Sequence, residues 1–214
     1  MNKRALILSG PTHEYIDPVR YIANASSGLM GRCLFEEAQR RGWHIDFVSG
    51  PVHKDFIPKI SEPHRFHAVT SALEMATIAS TVFPQAHLTL FAAAVADYRP
   101  AQLSKNKLSR LDAPNLQLDL VVNPDIAALL GQEKRPNQIT IGFALHNVKA
   151  QTNAARKLEE KNLDGIVINS SEAIGATTAN YQWLTAEKGL VSWGELTKNR
   201  CATYIMDEAE KRMI

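Results

Sequence analysis

Five polar side chains crowd into the run from Ser9 to Gly31, SGPTHEYIDPVRYIANASSGLMG: Asp17, Arg20, Asn24, Ser26 and Ser27. Arg20 can grip a carboxylate or phosphate through two parallel bonds. The Asn24 amide both donates and accepts. Ser26, Ser27 and Gly28, at the start of a helix, offer hydroxyls and backbone N–H groups to an anion. Such a set suits a phosphorylated ligand. The competing account is a loop in which Asp17 and Arg20 pair with each other and Ser26 caps a helix; on residues alone the two are even.

Two further constellations carry chemistry. In Ala92-Ala-Ala-Val-Ala-Asp97-Tyr98, small residues at the end of a strand let a flat base approach, and Asp97 falls just outside the strand end, where open α/β sheets bind ligands. Tight packing followed by a turn aspartate would produce the same pattern. The other set is basic: Lys105, Lys107 and Arg110 in a loop, then Lys157 and Lys161, four apart and so on one helix face. Several cations suit a triphosphate, although Glu159 and Glu160 alongside also fit an ordinary solvated helix. There is no GxxxxGK[ST] loop, no GxGxxG after the first strand and no Tyr with a Lys four residues later. P-loop and dehydrogenase chemistry are therefore disfavoured. No His/Cys cluster has zinc spacing.

The elements that must position these residues alternate in type. Residues 4–10 read as a buried strand, 28–41 as a helix with Ser26 or Ser27 as its cap, and 44–50 as a second strand. Residues 69–82 read as a helix capped by Thr70 or Ser71, and 88–95 as a third strand. This β-α-β-α-β order argues for a parallel sheet with helices on both faces. Residues 98–112 have no period and form a candidate lid. Beyond them, 116–122 alternates like a strand, and Pro124 suits a helix start capped by Asn123. Residues 139–144 and 164–169 read as strands flanking an amphipathic helix over 148–162. Tyr181–Ala186 and Leu190–Trp193 around Glu187-Lys-Gly signal a hairpin, expected as a small annex or subunit contact. A helix over 197–212 ends the sequence.

The 214 residues, 45% hydrophobic and 21% charged, fit one globular domain over 1–214. A net charge of +2 makes no case for nucleic acid or membrane. The apolar run after Met1-Asn-Lys-Arg4 is too short for a signal peptide, and no stretch is long enough to cross a membrane. Cys33 and Cys201 read as reduced thiols of a cytoplasmic protein.

The segment GPTHEYIDPVRYIANASSGLMG, with VSGPV at 48–52, AAVADYRPA at 93–101, NPDI at 123–126, GFA at 142–144 and KLEEKNLD at 157–164, resembles phosphopantothenate–cysteine ligase. The motifs run in order over roughly residues 5 to 170, and the hairpin and last helix resemble the family more weakly. The resemblance implies a Rossmann-like three-layer α/β sandwich with a mostly parallel sheet plus a C-terminal hairpin. It also implies a cytoplasmic homodimer, in a stand-alone form served by a separate decarboxylase. The implied reaction uses CTP with Mg²⁺ to activate 4′-phosphopantothenate as an acyl-cytidylate, which cysteine attacks. The alternatives are an ATP-using version of the same ligase and a nucleotide-binding relative that has lost ligation.

By matching motif, the resemblance makes Asn24, Lys107 and Arg20 the catalytic residues, with Lys107 also on the triphosphate. It assigns the nucleotide pocket to Phe91, Ala92, Ala93, Asp97, Pro124, Asp125, Ile126, Ala127, Phe143, Lys157 and Lys161, and the phosphates to Ser26 and Gly28. No metal ligands are implied. Four positions depart from the family pattern: Leu29 and Val122 stand where it has lysine, Ser109 interrupts a basic tract, and His146 replaces an acidic residue. These departures bear on affinity and nucleotide preference more than on fold.

Overall fold

The apolar runs assemble edge to edge. A computed structural model describes residues 3–109, 115–145, 150–170 and 176–213, with backbone alone for 150–153. Its eight-stranded sheet is built from β1 (Arg4–Ser9), β4 (His44–Ser49), β5 (Arg65–Ala68), β6 (Leu88–Phe91), β9 (Ile139–Leu145), β10 (Gly165–Asn169), β11 (Thr178–Thr185) and β12 (Gly189–Thr197). Across the sheet the order is β12-β11-β10-β9-β6-β1-β4-β5. Every neighbouring pair from β5 to β10 is parallel, and β11 and β12 join antiparallel. The chain enters at β1, winds outward through β4 and β5, then returns to β6 and continues to β10. The winding thus reverses between β1 and β6, which opens a crevice at their carboxyl ends.

Alternating side chains bury both faces, giving the three-layer, Rossmann-like α/β fold. Ile7, Phe47 and Leu90 pack under α1 (Leu29–Arg40) and α5 (Lys198–Lys211). Leu6, Leu8 and Val48 pack under α2 (Ala72–Val82) and α3 (Ile126–Gln132), while Ile166 and Ile168 meet α4 (Ala150–Glu160). Arg41, largely buried, ties α1 to α5 through Glu37, Asp207 and Glu210 at 2.7–2.8 Å, and the Trp43 indole N–H donates to Glu210 at 3.0 Å. Cys33 and Cys201 are buried free thiols, pushed to a higher pKa chiefly by that burial.

Several expectations about elements are corrected. The third strand stops at Phe91 rather than Val95, and beyond it an isolated bridge joins Ala94 to Pro11: β1 ends at Ser9, and β9 continues to Leu145 paired with β10 alone. Of 116–122 only β8 (Leu120–Val122) is a strand. It pairs outside the main sheet with β7 (Tyr98–Pro100). The hairpin is no annex: β11 continues the main sheet from β10. Helix α1 is preceded by Gly28 in a left-handed turn (φ 76°), so neither serine caps it. Instead the Ser26 and Ser27 hydroxyls accept from the Gly28 and Leu29 N–H groups at 3.3 and 3.4 Å. Asp125, not Asn123, caps α3, accepting from the Ala128 N–H at 3.1 Å. Helix α2 starts as expected, with Ser71 and Glu74 forming a reciprocal cap. Positions 148–149 of the expected fourth helix, and part of the expected lid, lie outside the described residues.

The insertion after β1 contains a short ribbon, β2 (Glu14–Tyr15) with β3 (Tyr21–Ile22). Asp17, fully buried, closes the turn between them. Its carboxylate accepts from the Val19 and Arg20 N–H groups at 2.8 Å, from the Arg20 guanidinium at 2.9 Å and from the Leu108 N–H at 3.1 Å. Arg20 in turn donates to the Leu108 carbonyl at 2.6 Å. Burial alone would raise the Asp17 pKa, but the guanidinium and N–H donors hold it far below the usual carboxylate range. A carboxyl depressed on folding contributes stability above the ordinary value of about 4 and loses it as pH falls toward the lower folded value, so the clamp is at full strength at neutral pH.

Two predictions follow from this packing. A Cβ at Gly31 would lie 2.0 Å from the Ser9 hydroxyl; Gly31→Ala should therefore cost about 1–3 kcal/mol in urea unfolding, and wild-type stability would contradict the packing. Asp17→Ala should release the 105–109 segment, raising tryptic cleavage after Lys105 and Lys107 severalfold at neutral pH. An unchanged cleavage rate would show that the clamp does not hold the segment.

Candidate active site

A cavity of about 840 Å³ opens at the carboxyl edge of the sheet, over the β1/β6 reversal. Its floor is Phe91, Ala92 and Ala93, where β6 ends, with Phe143 from β9 beside them. Three bonds pin this floor. The Ala94 N–H donates to the Gly10 carbonyl at 2.8 Å, the Ala96 N–H to the Thr12 hydroxyl at 3.0 Å, and the buried Asn123 amide to the Ala96 carbonyl at 2.8 Å. Ala92 to Ala94 all line the cavity, and their small side chains take up little of it.

One wall comes from the insertion. Asn24 reaches across and donates its amide to the Val95 carbonyl at 2.9 Å, which fixes its orientation. Ser26 and Gly28 follow at the entry to α1. Leu29, where the resemblance leads one to expect lysine, lines the cavity and packs against the core.

The opposite wall carries Pro124, Asp125, Ile126 and Ala127, with Lys157 and Lys161 above them. Lys161 pairs with Asp125 at 2.7 Å, so that wall is charged but locally balanced. The turn carrying Lys161 is held by Gly131. A Cβ there would lie 2.1 Å from the Lys161 carbonyl, and the Asn162 amide donates to the Gly131 carbonyl at 3.0 Å. Asp97 stands exposed at the rim.

Of the residues singled out from the sequence, the cavity unites Asn24, Ser26, Gly28, Phe91 to Ala93, Asp97, Pro124 to Ala127, Phe143, Lys157 and Lys161. It does not include Arg20 or Lys107. Arg20 is engaged with Asp17 and Leu108, as the competing loop account described, and Lys107 is exposed on the segment so tethered. Arg110 and His146 lie outside the described residues. Sequence reading missed Asn169, at the end of β10, and Lys198, which starts α5; both line the cavity. Neither sits in a recognisable motif, and both come from the far end of the chain. Among the described residues no group of three or more His, Cys, Asp or Glu side chains could hold a metal, and no helix is long and apolar enough to cross a membrane.

Residues 1–213 match the family described as DNA/pantothenate metabolism flavoprotein C-terminal domain. The coenzyme A biosynthesis bifunctional protein CoaBC of Vibrio cholerae is 39% identical over 217 residues, covering 100% of this chain and 53% of that protein. The chain thus spans about half the length of the curated relatives it matches. A crystal structure of the C-terminal domain of CoaBC superposes with a TM-score of 0.82 at 31% identity, covering 99% of this chain and 95% of that one. The Cab2 mutant H337A in complex with phosphopantothenate-cysteine shares the fold, with a TM-score of 0.76 at 16% identity over 99% of this chain and 87% of that one. With its whole described length accounted for by one family, the chain belongs to the DNA/pantothenate metabolism flavoprotein C-terminal domain family.

Proposed function

We propose that the chain is a phosphopantothenate–cysteine ligase of coenzyme A biosynthesis that uses CTP. The observation carrying this reading is the cavity over the β1/β6 reversal, where an oriented amide, a floor of alanines and two lysines converge. Family membership and the phosphopantothenate-cysteine bound by the Cab2 protein support the choice of substrates.

The chemistry needs an activated carboxyl, because a carboxylate has no good leaving group. One oxygen of the 4′-phosphopantothenate carboxylate attacks the α-phosphorus of CTP; the new O–P bond forms as the bond to pyrophosphate breaks. The cysteine amine then attacks the acyl carbon, loses a proton and expels CMP, leaving the amide of 4′-phosphopantothenoylcysteine. Holding the two reactants in line supplies much of the acceleration.

In this scheme the alanine floor admits the base, and the Asp97 carboxylate can accept from its exocyclic amino group. Asn24, oriented by Val95, faces the acyl group. Lys157 and Lys161 offset the triphosphate charge, Lys161 by exchanging Asp125 for phosphate. A role for Lys107 on the triphosphate requires its segment to move from the position in which Asp17 and Arg20 hold Leu108. A magnesium ion arriving with a triphosphate keeps most of its ligands from phosphate and water and needs only one or two carboxylates. Asp125, which lines the cavity and is released as Lys161 turns to phosphate, fits that demand, and the ion would supply further charge neutralisation on the phosphates.

The proposal includes a cytoplasmic homodimer. Support for the dimer comes from the exposed apolar residues of the β7–β8 ribbon outside the cavity, Leu120 at 44% and Val121 at 38%, next to Tyr98 and Val122, which line the cavity. Exposed apolar area of this kind marks a protein contact.

Pyrophosphate release, followed with CTP and ATP side by side, tests the reaction. It should require 4′-phosphopantothenate, favour CTP, and fall about 10²–10³-fold in Asn24→Ala; no release with either nucleotide, or an unaffected variant, would overturn the reading. Sedimentation should give twice the 23.7 kDa chain mass, and Leu120→Asp should shift it toward one chain. A monomeric wild type would contradict the dimer.

A further inference from the structure

Amides from both walls hold the edge of the cavity floor. Past Ala94, three successive carbonyls each accept a bond: Val95 from the Asn24 amide at 2.9 Å, Ala96 from the Asn123 amide at 2.8 Å, and Asp97 from the Asn123 backbone N–H at 2.8 Å. Asn123 thus makes two of the three. It is only 7% exposed and leads directly into the Pro124–Ala127 wall, so its position sets floor and wall together. Capping does not occupy it, because Asp125 caps α3.

An asparagine amide has two unlike ends, and only its NH₂ end can bond a carbonyl. Arg99 of β7 fixes which end faces the floor. Its Nη1 donates to Asn123 Oδ1 at 3.2 Å and to the carbonyl of Val122, the last residue of β8, at 2.7 Å. A flipped amide would set two donors together at Arg99 and two acceptors together at Ala96. The guanidinium also gives the buried amide oxygen a charge-assisted partner, without which its desolvation would go uncompensated. Arg99 is not itself among the described residues lining the cavity; its contacts to the floor and wall run through Asn123 and the end of β8.

We propose that Arg99 is a positioning residue for the base end of a bound nucleotide. Acting through Asn123, it fixes the Ala96–Asp97 edge of the floor on which the base lies. The choice of a nucleotide as occupant rests on the ligase reading; the Arg99–Asn123–Ala96 chain does not.

Calorimetric titration with CTP, well below the melting temperature of every variant, tests this without turnover. The proteins are wild type, Arg99→Ala, Arg99→Lys, Asn123→Ala and the double variant Arg99→Ala/Asn123→Ala, each titrated also with inorganic pyrophosphate, which lacks a base. Arg99→Ala should weaken CTP by about tenfold and leave pyrophosphate unchanged, and Arg99→Lys should recover most of the loss. The double variant should bind CTP no more weakly than Asn123→Ala, because the two residues form one chain. Unchanged CTP affinity in Arg99→Ala, even with a lower melting temperature, would overturn the proposal and leave Arg99 a staple of the ribbon. Losses that add in the double variant, or that fall equally on CTP and pyrophosphate, would overturn it too. If wild type binds CTP and makes no product, the ligase reading fails while these titrations still decide the role of Arg99; a wild type that binds no nucleotide overturns both.

Discussion

The contact between the start of α1 and the end of β1 sets the geometry of the cavity. Gly31 leaves just the room that the Ser9 side chain occupies, and the Ser9 hydroxyl donates to the Gly28 carbonyl at 3.4 Å. Gly10 and Gly28, both at positive φ, come up against Val52 from two sides. With no side chain at these points, the helix start is drawn down onto the strand end. The insertion between them is then forced to arch outward over the neighbouring β6. That arch carries Asn24 to Val95 and Asp17 to Leu108, so the active-site wall and the tether of the basic segment both depend on one close approach.

The charge of the cavity is distributed rather than concentrated. Its lysines come from α4, from the turn that follows it and from α5, and one of them is already neutralised by Asp125. An arrangement of this kind avoids the cost of holding several uncompensated cations together before a ligand arrives. In the proposed function, anion binding becomes an exchange of partners at Lys161, with phosphate replacing the Asp125 carboxylate. For the proposed function this means that a dispersed set of side chains would do the work that a backbone cradle does in a P-loop.

Most of this was legible in the residues because it depends on local pattern. Buried runs such as Leu6–Leu8 and Ile166–Ile168 announce strands, and the small residues of Ala92–Asp97 announce room near a strand end, although that strand stops at Phe91 rather than Val95. Three things were not legible. The pairing of β11 with β10, which puts the hairpin in the main sheet, is a long-range choice that no local signal records. The αL turn at Gly28 displaced the serines from the cap, since a glycine's backbone angle is decided by what it packs against. Lys198 reached the cavity only through the antiparallel return of β12. Arg20 illustrates the reverse problem: its type and neighbourhood suited a ligand, but Asp17, three residues away and wholly buried, claims it first.

The claim at the centre of the account is that the pantothenoyl carboxylate is activated by direct attack on the α-phosphorus of the nucleotide. Turnover of 4′-phosphopantothenate labelled with ¹⁸O in both carboxylate oxygens, with CTP and cysteine, tests it most directly. The account predicts CMP carrying one ¹⁸O per product molecule, with the second retained in the new amide. Unlabelled CMP, with the ¹⁸O found in another phosphate product, would contradict it.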